Sequence, residues 1–174
     1  NRIEIAQRYP WLLQRERRMI IGNDLDALLS AQFLQHTLGW SMAGFYNYST
    51  LYVDPAIDPR ECVWVDLDIH DPACGSIGHH ILRPTPTDRI PGHRSSVNPN
   101  LLRGIDQTDF THKYPLGTIH FLLWLHDARA RNKRACTLLL WLADSTWINA
   151  QRYRANVREW LTNWISVPEL LDTF

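Results

Sequence analysis

Three short apolar runs each lead into aspartate: Met19-Ile20-Ile21 into Asp24 and Asp26, Val63-Trp64-Val65 into Asp66 and Asp68, and 138–142 into Asp144. If these runs are neighbouring parallel strands, the carboxylates meet at one edge of a sheet. So many like charges in one place repel and raise one another's pKa values unless cations bind. The adjacent pair His79-His80, with His70 nearby, adds imidazole to that oxygen-rich set. The mixture suits Mn²⁺ or Mg²⁺, and two such ions can clamp a phosphate during in-line attack by water. Each piece also has a plainer reading, since an aspartate after a strand is an ordinary helix N-cap and paired histidines are common in loops. The coincidence of three strand-end acids with two imidazoles is what favours a metal centre.

The elements that must position these groups alternate along the chain. Met19-Ile20-Ile21 reads as a strand, followed by a helix capped by Asp24 or Asn23 and stopped at Gly39. A second strand is predicted over 40–46, with 50–53 as its continuation or a hairpin. The uniformly apolar Cys62-Val63-Trp64-Val65 reads as a strand buried on both faces. Residues 71–114 are rich in Pro, Gly, Ser and Asn and read as a long loop, which in a compact domain is usually functional. A helix over 118–129, a strand over 136–142 and an amphipathic helix over 147–164 complete the pattern. Alternating strands and helices predict an α/β fold, with a mainly parallel sheet carrying helices on both faces. In such sheets ligands bind beyond the carboxyl ends of the strands.

The length, 174 residues, fits one domain with a sizeable core. Residues 1–16 are expected to be an N-terminal extension and 148–174 a C-terminal helix. The chain begins at Asn1 rather than Met, so it is expected to be a piece of something longer. No apolar run approaches the ~20 residues that cross a bilayer. Three cysteines (Cys62, Cys74, Cys136) without a C-x-x-C pair exclude a disulfide scaffold or a Cys-rich zinc site, and point to a reducing, cytoplasmic setting. The net charge is zero but unevenly spread: 20–75 hold eight acids against the single base Arg60, and 128–158 hold seven bases against Asp144. Arg outnumbers Lys 16 to 2, and Arg is the better fork for phosphate oxygens. An acidic front and an Arg-rich back suit metal-dependent phosphate chemistry, although solvated surface charge explains many of these residues equally.

The ordered set Asp24-Leu-Asp26-Ala-Leu-Leu-Ser30, Asp66, Gly78-His79-His80, Val97-Asn98-Pro99-Asn100 and Asp144-Ser-Thr-Trp147 resembles the DHH phosphoesterase superfamily over roughly residues 17–147. The resemblance implies Mn-dependent phosphodiester hydrolysis on a nucleotide or single-stranded nucleic acid. It implies two Mn²⁺ (or Mg²⁺) ions held by Asp24, Asp26, Asp66, His79 and Asp144, with Asp68 as a substitute ligand and His79, His80 and Asp144 as the catalytic set. His80, His93 and Arg94 would then face the substrate phosphate. The chain departs from the pattern where Gly22 and Ile20 stand in place of an upstream histidine and Gly78 replaces the aspartate of Asp-His-His. There is also no room for the family's second, substrate-holding domain, so either the chain is a fragment, a partner supplies that domain, or the catalytic site is degenerate.

Two other readings stand beside it. Asp66-Leu-Asp68-Ile-His70-Asp71-Pro72-Ala73 resembles the metal loop of arginase-like ureohydrolases, which implies a binuclear manganese site for guanidinium hydrolysis. Alternatively, the chain is a catalytically inactive DHH-like module that binds nucleic acid or a protein partner. In that case Trp147, Trp160 and Trp164 among Arg152, Arg154 and Arg158 would stack bases or form an interface, unless they simply pack the helix on the sheet.

Overall fold

The computed structural model describes residues 1–129 and 133–174. Strands β1 (Arg18–Ile21), β2 (Ser41–Tyr46), β3 (Leu51–Val53), β4 (Val63–Val65), β5 (Ser76–Ile77) and β6 (Ser96–Val97) form one sheet in the order β3-β2-β1-β4-β5-β6. Every neighbouring pair is parallel except the β2–β3 hairpin. The architecture is therefore α/β with a mixed, mainly parallel sheet. The chain leaves β1 through helix α2 (Leu25–Leu38) to reach β2 on one side, then lays β4 along the other side of β1. The connections after β1 and β4 run to opposite sides of the sheet, and the carboxyl ends of such strands are where sheets of this kind bind ligands.

Local chemistry explains these elements. The Asp24 carboxylate accepts from the Ala27 amide at 2.9 Å and starts α2, and Gly39 stops it at φ 71, a left-handed position glycine fills without strain. Between these caps Ala27, Ala31, Leu34 and Leu38 recur at helical spacing and are buried. The central strands β1 and β4 bury Met19, Ile20, Val63 and Val65. Helix α1 (Arg2–Arg8) is followed by a 3₁₀ turn (Pro10–Leu13), and Tyr9 and Leu12 join the same core. The first sixteen residues thus contribute to the packing.

Four elements differ from the sequence-based expectation. The apolar run 136–142 is not a strand but part of helix α5 (Lys133–Leu142). Within it only Leu140 is fully buried, while Leu138 and Leu142 point outward at 60% and 58% exposure. A short, wholly apolar run carries no period that separates helix from strand. Asp144 consequently ends no strand and instead follows α5 in a turn with φ 46. The segment 71–114 includes β5, β6 and helix α3 (Pro99–Arg103), whose two-residue strands are too short to leave a hydrophobic pattern. The expected helix over 118–129 is α4 (Thr118–Leu125), which gives way to Asp127 at φ 51.

The predicted helix over 147–164 is broken at Tyr153 into α6 (Thr146–Arg152) and α7 (Arg154–Glu159), followed by a π-helical turn (Trp160–Trp164). Trp160 is buried edge-on against Tyr114 at 4.9 Å, whereas Trp147 and Trp164 are about half exposed. Helix α8 (Pro168–Leu171) closes the described chain. Among the described residues no helix is long and apolar enough to cross a membrane.

Helix α4 is locked at its first turn. Its N-cap is Gly117, which has no side chain to offer, and the cap comes from α2 instead. Asp26 accepts from the Thr118 amide at 2.6 Å and from the Ile119 amide at 2.9 Å. A Cβ on Gly117 would stand 2.5 Å from the Asp26 carboxylate, so this close approach requires glycine. In the same turn the Gly117 amide donates to His120 Nδ1 at 2.9 Å, which leaves Nε2–H to donate to the Leu140 carbonyl at 3.0 Å. His120 therefore ties α4 to α5 as a neutral ring, and burial pushes its pKa down to about 4. The unfolded chain takes up this proton near 6.5 and the folded one only near 4, so the stability His120 contributes is lost as pH falls through that window. We expect the stability difference between the wild type and His120→Phe to shrink by on the order of 3 kcal/mol from pH 7 to pH 4, as read by urea unfolding across pH. A pH-independent difference would mean that the ring is not held neutral.

Candidate metal centre

Asp66 leaves β4 at φ 60, a left-handed conformation that aspartate tolerates better than most residues. Its side chain is fully buried. Oδ1 accepts from Thr118 Oγ1 at 2.7 Å, while Oδ2 is buried with no hydrogen-bond partner. Thr118 has one hydroxyl proton, and it is spent on Asp66. The 3.0 Å contact from Thr118 Oγ1 to His79 Nδ1 must then be donated by the ring nitrogen. This chain of bonds leaves Nε2 of a neutral His79 with its lone pair. That atom is buried and makes no hydrogen bond, although Asp144 Oδ2 lies 3.0 Å away. Two acceptors facing each other at that distance call for a cation between them, either a proton or a metal ion.

His80 completes the group. Its Nε2 lies 3.6 Å from Asp66 Oδ1, and the two imidazoles stack at 4.0 Å between centroids. Asp66, His79 and His80 each offer one ligand atom, all within 4.8 Å of one another. An orphaned carboxylate oxygen, an orphaned imidazole nitrogen and a second imidazole form a donor set that fits a first-row divalent ion. The electrostatics agree. Burial raises the pKa of Asp66, and the Asp66 carboxylate beside it pushes His80 up to about 9. Asp144, close to His79, is held below the usual carboxylate range.

Asp68 stands beside this group by an unexpected route. Its Oδ2 accepts from the His80 amide at 2.8 Å and its Oδ1 from Asn98 Nδ2 at 2.9 Å. A Cβ built on Gly78 would lie 2.7 Å from the Asp68 carboxyl carbon. The Asp68 carboxylate therefore fills the space into which a side chain at position 78 would project, so Gly78 is required by close approach.

Other expected site residues have different tasks. Asp26, buried, has both oxygens bound to α4 amides, and burial together with the nearby Asp66 pushes its pKa up to about 8. Asp24 is an exposed N-cap. His93 and Arg94 do not join the imidazole pair. They line a separate cleft beyond Asn98, where His93 packs on His70 at 4.9 Å. Asp71, part of the ureohydrolase-like run, caps its own turn through the Ala73 amide and pairs with Arg60 at 3.5 Å. Of the tryptophan-associated arginines, Arg154 and Arg158 lie over the Phe174 ring.

Sequence reasoning missed Thr118, the hydroxyl that joins Asp66 to His79, and gave no role to Asn98 and Asn100, which it marks only as part of a motif. Asn100 donates to the His79 carbonyl at 2.8 Å and accepts from the Tyr114 amide at 2.6 Å. Thr118 opens a helix forty residues beyond the histidines, and no local motif marks it. Asn98 follows β6 as the N-cap of α3, and that local signal was readable. Set against known proteins, the chain matches no family model, no curated protein and no solved structure.

Two measurements test this geometry. A protonated His80 cannot ligate, so metal binding near neutral pH must expel its proton. Calorimetric Mn²⁺ titrations in buffers of different ionisation enthalpy should count about one proton released per ion at pH 7, with affinity rising as pH approaches 9. Release of no proton would remove His80 from the ligand set. In a second test, Asp68→Gly should weaken Mn²⁺ binding, and adding Gly78→Asp should restore part of it by returning a carboxylate to the same space. A double variant no better than Asp68→Gly would show that the carboxylate position is irrelevant to metal.

Proposed function

We propose that this chain is a DHH-type phosphoesterase domain that hydrolyses phosphodiester bonds of a nucleotide or single-stranded nucleic acid with the help of Mn²⁺ or Mg²⁺. The observation that carries the reading is the buried relay Asp66–Thr118–His79, which leaves Asp66 Oδ2 and His79 Nε2 unpartnered at the carboxyl edge of the sheet. The position of Asp68 supports the DHH-type assignment, because it brings a carboxylate to the His79-His80 pair where Gly78 has none.

Asp66, His79 and His80 would hold the ion, which when bound neutralises phosphate charge and makes a nearby water more acidic than bulk. Thr118 fixes the tautomer of His79, and Asp68 fixes the backbone of His80. Asp144, more than a third exposed, stands at the rim, where its carboxylate can take the proton of an attacking water. Because α4 occupies both oxygens of Asp26, one ion per chain is the expected stoichiometry, in place of the two that the resemblance implies.

The decisive assay is Mn²⁺-supported hydrolysis of bis(p-nitrophenyl) phosphate and of a short single-stranded oligonucleotide. Asp144→Asn should lower kcat by about 10² or more with Mn²⁺ binding preserved, whereas Asp66→Asn should abolish both. Metal bound without turnover of either substrate would favour the inactive binding module, a reading to which the committed state of Asp26 lends weight.

A further inference from the structure

Along the outer edge of the sheet, beyond β6, lies a cleft of about 460 Å³ that the proposed hydrolytic centre does not use. Arg8 reaches it from α1, and Arg83, Arg89 and Arg94 come from the loop between β5 and β6; the only carboxylate in its lining is Asp88. Among the described residues none of these four guanidiniums is in an ion pair. Arg83 does act on one acid, Asp106, whose Oδ1 accepts from the Thr108 amide and hydroxyl at 2.7 and 2.6 Å, but the two form no ion pair. Four unpaired arginines around one concavity repel each other, a cost that is relieved by an anion carrying several charges. Guanidinium forks match phosphate oxygens in pairs, and four of them exceed what one phosphate can engage.

The cleft is joined to the metal-capable group by one residue. Asn98, immediately past β6, lines the cleft and donates Nδ2 to Asp68, whose other oxygen holds the His80 amide. Asn98 is itself fully buried and braces the two from below, and Arg83, three residues after His80, brings the cleft close to the metal-capable group along the chain.

We infer that the Arg8–Arg83–Arg89–Arg94 cleft binds the consecutive phosphates of a single-stranded oligonucleotide and so sets the substrate as a polynucleotide end rather than a lone nucleotide. This deepens the phosphodiesterase reading and rests on it for the chemistry, but the binding itself needs no metal.

The test is fluorescence anisotropy of a labelled octanucleotide titrated with the full chain in EDTA at several salt concentrations, with adenosine triphosphate as competitor. Saturable binding whose logarithm falls with log salt by ~0.7 for each phosphate engaged is expected. Arg89→Gln with Arg94→Gln, both exposed positions, should weaken binding at least tenfold and flatten the slope by about 1.4, the value for two lost phosphate contacts. Circular dichroism should be unchanged, as should Mn²⁺ stoichiometry by calorimetry. Unchanged oligonucleotide affinity in the double variant, no binding by the wild type, or a triphosphate that binds more tightly than the octanucleotide would each overturn the inference. Because the anisotropy is read without metal, loss of Mn²⁺ binding alone would fell the hydrolytic reading and leave the cleft standing.

Discussion

The arrangement depends on one buried carboxylate. Asp26, in the first turn of α2, takes the first two amides of α4, a helix whose own N-cap is a glycine. Two opposing effects meet there. Burial and the neighbouring Asp66 disfavour the anion, while two oriented amides at a helix N-terminus favour it. The two bonds are short, at 2.6 and 2.9 Å, and in the ionised form of Asp26 they are charge-assisted and roughly twice as strong as neutral ones. Because the helix start is pinned, Thr118 falls between Asp66 and His79, and the rest of the metal-capable group follows from that placement.

The consequence for the site is a set of unsatisfied demands. Asp66 Oδ2 and His79 Nε2 are buried without partners, and an unpaired buried polar atom costs about 1–3 kcal/mol. Asp66 is also held at positive φ, as are Asp144 and Ser145. Positive φ values and unmet hydrogen bonds concentrated in one place are what mark this group as a candidate ligand site. The surroundings are built to keep that geometry: Asn100 holds the backbone of His79, Asp68 holds that of His80, and Tyr114 packs edge-on against the His79 ring at 5.8 Å.

Charge is distributed around this centre with a direction. Carboxylates from the ends of β1 and β4 and from the turn after α5 converge on the carboxyl edge of the sheet, and unpaired arginines gather one strand beyond β5, past the edge strand β6. An anion approaching the arginines meets attraction before it meets the acids, which only a cation can mask.

Much of this was legible in the chain itself. The alternation of apolar runs with capped helical stretches determined the α/β class and the ends of α2, because periodicity and capping are local properties. Asp66 and His79 could be marked as candidate ligands by residue type and motif, whereas the same motif assigns His80 to the substrate phosphate. Local signals failed where the decisive partner was distant or the signal degenerate. The all-apolar 136–142 reads equally as strand or helix, and only its packing under α4, through His120 and the Leu140 carbonyl, makes it helical. Which acids stay free was likewise a tertiary decision: Asp26 is consumed by a helix end, Asp24 caps its own helix, and Asp68 reaches the space that Gly78 leaves open. The sequence by itself thus determined the kinds of group available and the elements that carry them. Only the tertiary structure decided which of those groups are already satisfied by a hydrogen bond and which are left buried without a partner, because that balance is set by contacts between residues far apart in the chain.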